Sequence, residues 1–557
     1  MANIVFELGN QKIMALNLPL SCFKIALFYF VLNFNVLKNL RFLIIPVVLC
    51  VAGCGWFKTP PEIGKVLSEH FKNKIYKDFD TAAYDSVFVK SMDSLSKDFI
   101  NPKTIKAFYK SNVNEPKLVT KFYTIGELDS LANYLQNSTV HGINPKIFKV
   151  DEIKSLLSTL SSNKFKNVNE SYSVIAKLEL LTANAYLNYN NYLKYGVVNP
   201  RNIFSRYYIK VKRPDSVGMV SLLASSSLID TLRAVQPKST QYKALQAAYL
   251  ATDAVDEKRI LLLNMERFRW KMPETGENYV QVNIPDFKLT WFDKQDTVIS
   301  MKVCVGGKRE NGYEEKLKAF AKSGNLDDKP KNHETPLLFS KINSIQANPV
   351  WNIPVSIAQS EIYWMARKDR YYLSNSNINV YYKDKLVGEP DTINWNKYSR
   401  DKLPFKFKQG SGGGNALGKF KFIFDNSSSI YLHDTNNKNG FNLTNRAISH
   451  GCVRVEKPLE FAEKLVGDTY TYDKLRAEVD LPPVDSTHNK WYKKRMAAKA
   501  DTTKSFQLKP AWFGPKKAVP LIITYFTAWS QNDKIEYRPD VYQMDDKLWV
   551  AMKKFRL

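Results

Sequence analysis

At 557 residues the chain is too long for one compact core, and its 44% apolar and 24% charged residues exclude both wholesale disorder and a polytopic membrane protein. The 81 Lys and Arg against 54 Asp and Glu leave a net charge of +27, which attracts some polyanion, whether nucleic acid, anionic lipid or cell-wall polymer, without choosing among them. Five scattered cysteines, Cys22, Cys50, Cys54, Cys304 and Cys452, exclude a disulfide framework and a four-cysteine zinc site.

The N-terminal stretch reads as an export signal, with a simple transmembrane anchor as the alternative. Lys38 and Arg41 precede a short apolar run at 42–52, and Val51-Ala52-Gly53-Cys54 resembles the bacterial lipobox, in which the cysteine thiol takes a diacylglycerol. A true start near Val36 would explain the apolar residues farther upstream, 15–37. Cys54 is therefore expected to become the lipidated first residue of a mature protein in the periplasm, on the outer rather than the inner membrane because Gly55 offers no retention signal. An exported chain meets little nucleic acid, so that partner class is set aside.

From 55 to 260 the pattern is helical, with Ile175, Leu178, Thr182, Ala185 and Tyr189 recurring at spacings of three and four until Gly196 and Pro200 close the segment. Tyr186, Tyr189, Tyr192 and Tyr195 suit a buried stripe better than a carbohydrate platform. The period changes to two at Tyr279, where Val280, Val282 and Ile284 share a face, and a second strand at 298–305 follows the turn residues 293–296. Cys304 lies in that strand as a small buried thiol. Residues 308–334 form a charged, helix-prone, solvated excursion, and the prolines of 348–354 interrupt regular structure. The Tyr-, Trp- and Asn-rich stretch that follows suits a lid more than a sheet. Gly410, Gly412, Gly413 and Gly414 lack the Lys-Ser/Thr of a phosphate cradle, and a strand at 419–424 comes next.

The chemistry concentrates between His433 and Arg454. Ile430 to Thr435 read as a strand running into a loop, and Cys452 follows His433 by nineteen residues, directly after His450 and Gly451. A thiol needs a base or a positive field to ionise near neutral pH, and an imidazole supplies either. Gly451 removes bulk beside the thiol so that backbone amides can approach an oxyanion, and Arg454 offers a planar fork of donors.

His433 followed by Ser449-His450-Gly451-Cys452-Val453-Arg454 resembles the catalytic motif of the YkuD-type L,D-transpeptidases. Further likeness to the large, YcbB-like branch runs through Leu181-Thr182-Ala183, Asn264-Met265-Glu266-Arg267-Phe268-Arg269-Trp270, Val282-Asn283-Ile284-Pro285, 348–354, Asn415-Ala416-Leu417-Gly418 and Tyr525-Phe526-Thr527-Ala528-Trp529. The resemblance implies an α+β protein: an export signal at 1–54, a helical scaffold at 55–260, a β-rich catalytic domain at 261–480 with a mobile cap at about 356–407, and a C-terminal segment, 481–557, packing on the scaffold. Residues 245–263 run straight through, leaving no room for the wall-binding domain that the branch commonly inserts there.

By the same resemblance Cys452 is the nucleophile and His433 the base. The carbonyl of Asp434 orients the His433 ring, amides near Gly451 and Cys452 form the oxyanion hole, and His450 and Arg454 shape the site. Tyr431, Ser449, Trp351, Asn352 and Asn415 are expected to bind substrate. The implied reaction joins peptidoglycan stem peptides by 3→3 cross-links, in a monomer, with no metal or organic cofactor.

Three other readings stay open. His433, His450 and Cys452 could ligate zinc; the chain could bind the wall without turnover; or the acyl-enzyme could pass its acyl group to water or a protein amine. Mass spectrometry of the mature N-terminus is expected to show a lipidated Cys54, and an intact residue 1 or an unmodified Cys54 would refute the export reading.

Overall fold

The computed structural model describes residues 59–557 except 295 and 504, so the expected signal and Cys54 lie outside the described residues. Helices from Glu62–Phe71 to Val255–Arg269 make the first half of the chain, and a β-rich body follows. No helix of the described residues is long and apolar enough to cross a membrane.

The helical half is organised around Asn169–Tyr195, which is buried on nearly every side because Ile175, Leu178, Leu181, Ala185 and Tyr189 are joined by apolar residues on the remaining faces. Tyr186, Tyr189 and Tyr192 belong to the core, so three of the four tyrosines cannot offer a carbohydrate platform. Glu179 within this helix accepts hydrogen bonds from the Tyr109 hydroxyl at 2.6 Å and from the amides of Leu118 and Val119 at 2.8 and 2.7 Å. Burial raises its carboxyl to about 7. Within 245–263, helix Thr240–Ala251 stops and Val255–Arg269 begins after the extended residues Thr252 and Ala254, a connection of three residues that holds no inserted domain.

The second half holds strands β1 (Asn278–Asn283), β2 (Lys288–Asp293), β3 (Asp296–Gly306), β4 (Leu338–Ala347), β5 (Trp351–Ile353), β6 (Ile378–Tyr382), β7 (Lys385–Leu386), β8 (Phe405–Gln409), β9 (Phe420–Phe424), β10 (Leu432–His433), β11 (Ala447–Ser449), β12 (Val453–Val455), β13 (Ala511–Phe513) and β14 (Val519–Thr524). Nine strands of one mixed sheet run in the order β11-β3-β12-β10-β9-β4-β14-β1-β2, and β13 pairs with β4. The 293–296 turn joins β2 to β3, so a strand stands between the two expected from the sequence.

The C-terminal segment contacts the helical half and also enters the main sheet. Its strand β14 lies inside the sheet, parallel to β1 and antiparallel to β4, because Leu521, Ile522 and Ile523 are buried and need a sheet interior. The scaffold is tied to this segment through a buried network. Arg267 donates to Asp545 at 2.5 Å, Asp545 accepts from the Thr527 hydroxyl at 2.9 Å, and Asn264 bonds both the hydroxyl and the amide of Thr527. Scaffold residues such as Leu262 and Leu263 share one continuous core with Val282, Val303 and Leu521.

Between β4 and β9 the chain leaves the main sheet to build a cap. Strands β5, β8, β6 and β7 form a second, four-stranded sheet with its own core of Ile362, Tyr363, Val380, Trp395 and Phe407, so the expected lid contains a sheet after all. The 308–334 insertion carries helix Tyr313–Ser323, which has no buried residue, but Arg309 and the nearly buried Glu334 pair at 3.0 Å and pin its base.

Removing one partner of a buried, hydrogen-bonded ion pair strands the other charge, a loss of about 3–5 kcal/mol. Asp545→Ala should therefore shift the urea unfolding transition by that amount; a shift below about 1 kcal/mol would show that the network does not brace the two halves.

Candidate active site

A cleft of about 1100 Å³ opens between the main sheet, the cap and the insertion. Cys452, His433, Tyr431, Ser449, His450 and Arg454 reach it from the sheet side, and Trp351 from the base of the cap. The insertion is more than a solvated excursion, since Leu326 to His333 supply a wall of the same cleft.

The register of three strands decides what surrounds the thiol. His433 on β10 stands opposite Lys421 on β9 and opposite Arg454 on β12. Paired residues of adjacent strands share a face, so the imidazole sits between two cationic side chains. The amide of Val453 donates to the Tyr431 carbonyl at 3.1 Å, which brings Cys452 level with Tyr431. Cys452 is partly exposed, whereas His433 is 6% exposed.

The His433 ring is fixed by a hydrogen bond between Nδ1 and the carbonyl of Asp434. The Asp434 carboxylate in turn pairs with Lys438 and accepts from the amides of Lys419 at 2.8 Å and Thr435 at 2.7 Å. With Nδ1 donating to a carbonyl, Nε2 keeps its lone pair. Burial lowers the His433 imidazole to about 3, and Arg454, Lys421 and Lys438 act in the same direction. Burial pushes the Cys452 thiol up; the Tyr431 amide, Lys421, the Tyr431 hydroxyl and Arg454 pull it back.

The turn before the nucleophile is built by Ser449. Its hydroxyl donates to the Cys452 carbonyl at 2.5 Å and accepts from the Gly451 amide at 3.1 Å. Gly451 holds φ +122°, a conformation side chains rarely adopt, and its carbonyl accepts from the Thr335 hydroxyl at 2.9 Å. His450 meets Glu361 of the cap at 2.6 Å, with its ring centroid 4.5 Å from that of His333. Arg454 Nε is buried without a partner, so the guanidinium is not holding local carbonyls through that atom.

Two of the residues expected to bind substrate are placed elsewhere. Asn415 spends its amide on the carbonyls of Pro349, Gln409 and Gly410 at 3.0, 3.3 and 2.8 Å, and its oxygen accepts from the Leu417 amide at 2.8 Å. It staples together the two chain passages at the neck of the cap and lines no part of the cleft. Asn352 is exposed on β5 opposite Lys408, away from the cleft lining. Cys304 is buried opposite Arg454, and burial pushes its thiol up. His433, His450 and Cys452 do not converge as a donor set, and among the described residues no group of three or more His, Cys, Asp or Glu could hold a metal ion.

Lys421, His333 and Glu361 are absent from the sequence reading of the site. The signal for Lys421 is its place in the alternation of β9, which becomes informative only once the pairing with β10 is known.

Residues 277–480 match a family model described as the YkuD L,D-transpeptidase catalytic domain, and residues 103–248 match one described as a scaffold domain. A curated Haemophilus influenzae protein named "Putative L,D-transpeptidase" is 26% identical over 346 residues. The match covers 60% of this chain, which thus spans about 60% of the length of that relative.

His433 is held neutral in the folded chain but titrates near 6.5 when unfolded. The unfolded chain therefore binds more protons as pH falls from about 6.5 towards 3, and stability is lost across that window. Urea unfolding at pH 7.5 and pH 5 should show an acid loss that is smaller in His433→Gln by up to about 2 kcal/mol. Equal losses in the two proteins would contradict a buried neutral imidazole.

Proposed function

Since the chain joins a scaffold domain to a YkuD-type L,D-transpeptidase catalytic domain in the YcbB-like arrangement, we propose that it forms 3→3 cross-links between peptidoglycan stem peptides through a thioester on Cys452. The observation that carries this reading is the meeting of a partly exposed thiol and a buried, carbonyl-oriented imidazole at one cleft.

The steps follow from the chemistry of the groups present. His433 Nε2 takes the thiol proton as Cys452 Sγ attacks the carbonyl that joins the L-centre of the donor's diamino acid to its terminal D-alanine. The C–N bond breaks, the proton passes to the leaving amine, and D-alanine departs. An amine of a second stem peptide then attacks the thioester, returns its proton through His433, and restores the thiol. The Cys452 amide is suited to the oxyanion, since the Ser449 hydroxyl fixes this turn by donating to the Cys452 carbonyl and accepting from the Gly451 amide, which is thereby already engaged. Neither step consumes a cofactor.

The cleft, about 1100 Å³ with walls from both the cap and the insertion, has room for an acceptor peptide beside the donor, which favours an amine acceptor over water. The placement that goes with this activity is a monomer in the periplasm, held to the outer membrane through Cys54. Its positive charge then faces the anionic wall and lipid rather than nucleic acid.

Incubation of the purified protein with tetrapeptide-rich wall should yield cross-linked dimers in muropeptide analysis. Tripeptides alone would convert the reading to a carboxypeptidase, and unchanged wall would favour a binding protein. Cys452→Ala should abolish both the products and the donor adduct seen by intact mass. His433→Ala should slow adduct formation by about 10²–10⁴-fold, the usual worth of a general base. Persistence of the adduct in Cys452→Ala would move the nucleophile elsewhere.

A further inference from the structure

We infer that Lys421 is an electrostatic positioning residue for Cys452, its ammonium lying on the Tyr431 ring behind the thiol and stabilising the thiolate. This rests on Cys452 being the nucleophile.

Lys421 sits on β9 between Gln346 of β4 and His433 of β10, in the interior of the sheet. Its Nζ lies 4.0 Å from the centroid of the Tyr431 ring. An ammonium over an aromatic face is attracted to the ring's negative quadrupole, and the contact also holds Tyr431 level with Cys452. Among the described residues Lys421 Nζ forms no salt bridge and no hydrogen bond, in contrast to Lys419 of the same strand edge, whose Nζ donates to the Val479 carbonyl at 3.1 Å. A half-buried cation without an anion is costly, and an apolar residue would fill the same space more cheaply. The anion that satisfies it is the one made when Cys452 ionises: burial lowers the Lys421 ammonium, and Cys452 acts in the opposite direction.

Lys421 does not line the cleft, so it is not placed to receive a substrate carboxylate. The charged and titratable groups around the thiol are Tyr431 just before β10, His433 from β10, Arg454 from β12, Lys421 from β9, and His450, His333 and Glu361 beyond the Gly451 turn. Arg454 reaches the cleft and is open to substrate, whereas Lys421 acts from behind. The two cations also disfavour a charged imidazole, so the proton that His433 takes from Cys452 does not rest on the ring but passes on to the leaving amine.

The test is the pH dependence of Cys452 alkylation by iodoacetamide, read on the Cys452 peptide by mass spectrometry in the full-length protein. An opposite charge nearby shifts an ionisation by roughly one unit or more. Lys421→Met should move the alkylation profile up by about one unit and slow the reaction about tenfold at pH 7, whereas Lys421→Arg should keep the wild-type midpoint. Lys421→Gln, which keeps a polar head without charge, should behave as Lys421→Met, and a thermal melt shows whether each variant is folded. An unmoved midpoint in either folded neutral variant, or equal displacement in the arginine and neutral variants, would overturn the proposal. Alkylation needs no peptide substrate: a displaced profile without cross-linking activity in wild type would remove the functional reading alone. An unmoved profile in an active enzyme would remove only this one.

Discussion

One imidazole kept dry between two cations sets the terms for the rest of the site. His433 stays uncharged because the strand pairing buries it and because Lys421 and Arg454 flank it on the same face. A neutral ring can accept a proton only if its free nitrogen faces the thiol, and the Asp434 carbonyl at Nδ1 leaves Nε2 for that purpose. The Asp434 side chain, held by Lys438 and by the Lys419 and Thr435 amides, keeps the carbonyl in place. The arrangement is therefore layered: strand register selects the neighbours, backbone selects the tautomer, and burial selects the charge state.

The cleft around this pair is made by parts far apart in the chain. The cap has its own sheet and its own core, and meets the main sheet through the neck that Asn415 staples. It also touches the nucleophile's turn through Glu361 and His450, and the insertion through Arg400 and Asp327 at 2.5 Å. His450, Glu361 and Asp327 are exposed, which leaves both contacts individually weak, so the cap is joined to its surroundings firmly at the neck and loosely at the rim. That distribution lets a wall of the cleft move without disturbing His433, whose supports lie in the sheet and in the 434–438 loop that follows β10.

The scaffold and the catalytic body are not independent units. One apolar core runs through both, and the Asn264, Arg267, Thr527 and Asp545 network joins the last scaffold helix to the C-terminal segment. The same segment contributes β14 to the sheet that carries β9 and β10, so the chain's end braces the site from the side opposite the thiol.

Much of this was legible from the sequence because it is local. Periodicity of three and four marks helix Asn169–Tyr195, alternation marks β1, and the short span from His433 to Arg454 contains the thiol, its imidazole and the glycine that permits φ +122°. What depends on pairing was not legible. That β14 enters the sheet beside β1, that Asn415 turns its amide inward, and that His450 faces the cap all follow from contacts between segments tens to hundreds of residues apart. The sequence by itself determined which residues could do the chemistry, since side-chain type and local backbone freedom are properties of single positions. Only the tertiary structure decided which charges stand beside the imidazole. Lys421 becomes a neighbour of His433 through strand register, and register is settled by the burial of whole faces rather than by any one residue.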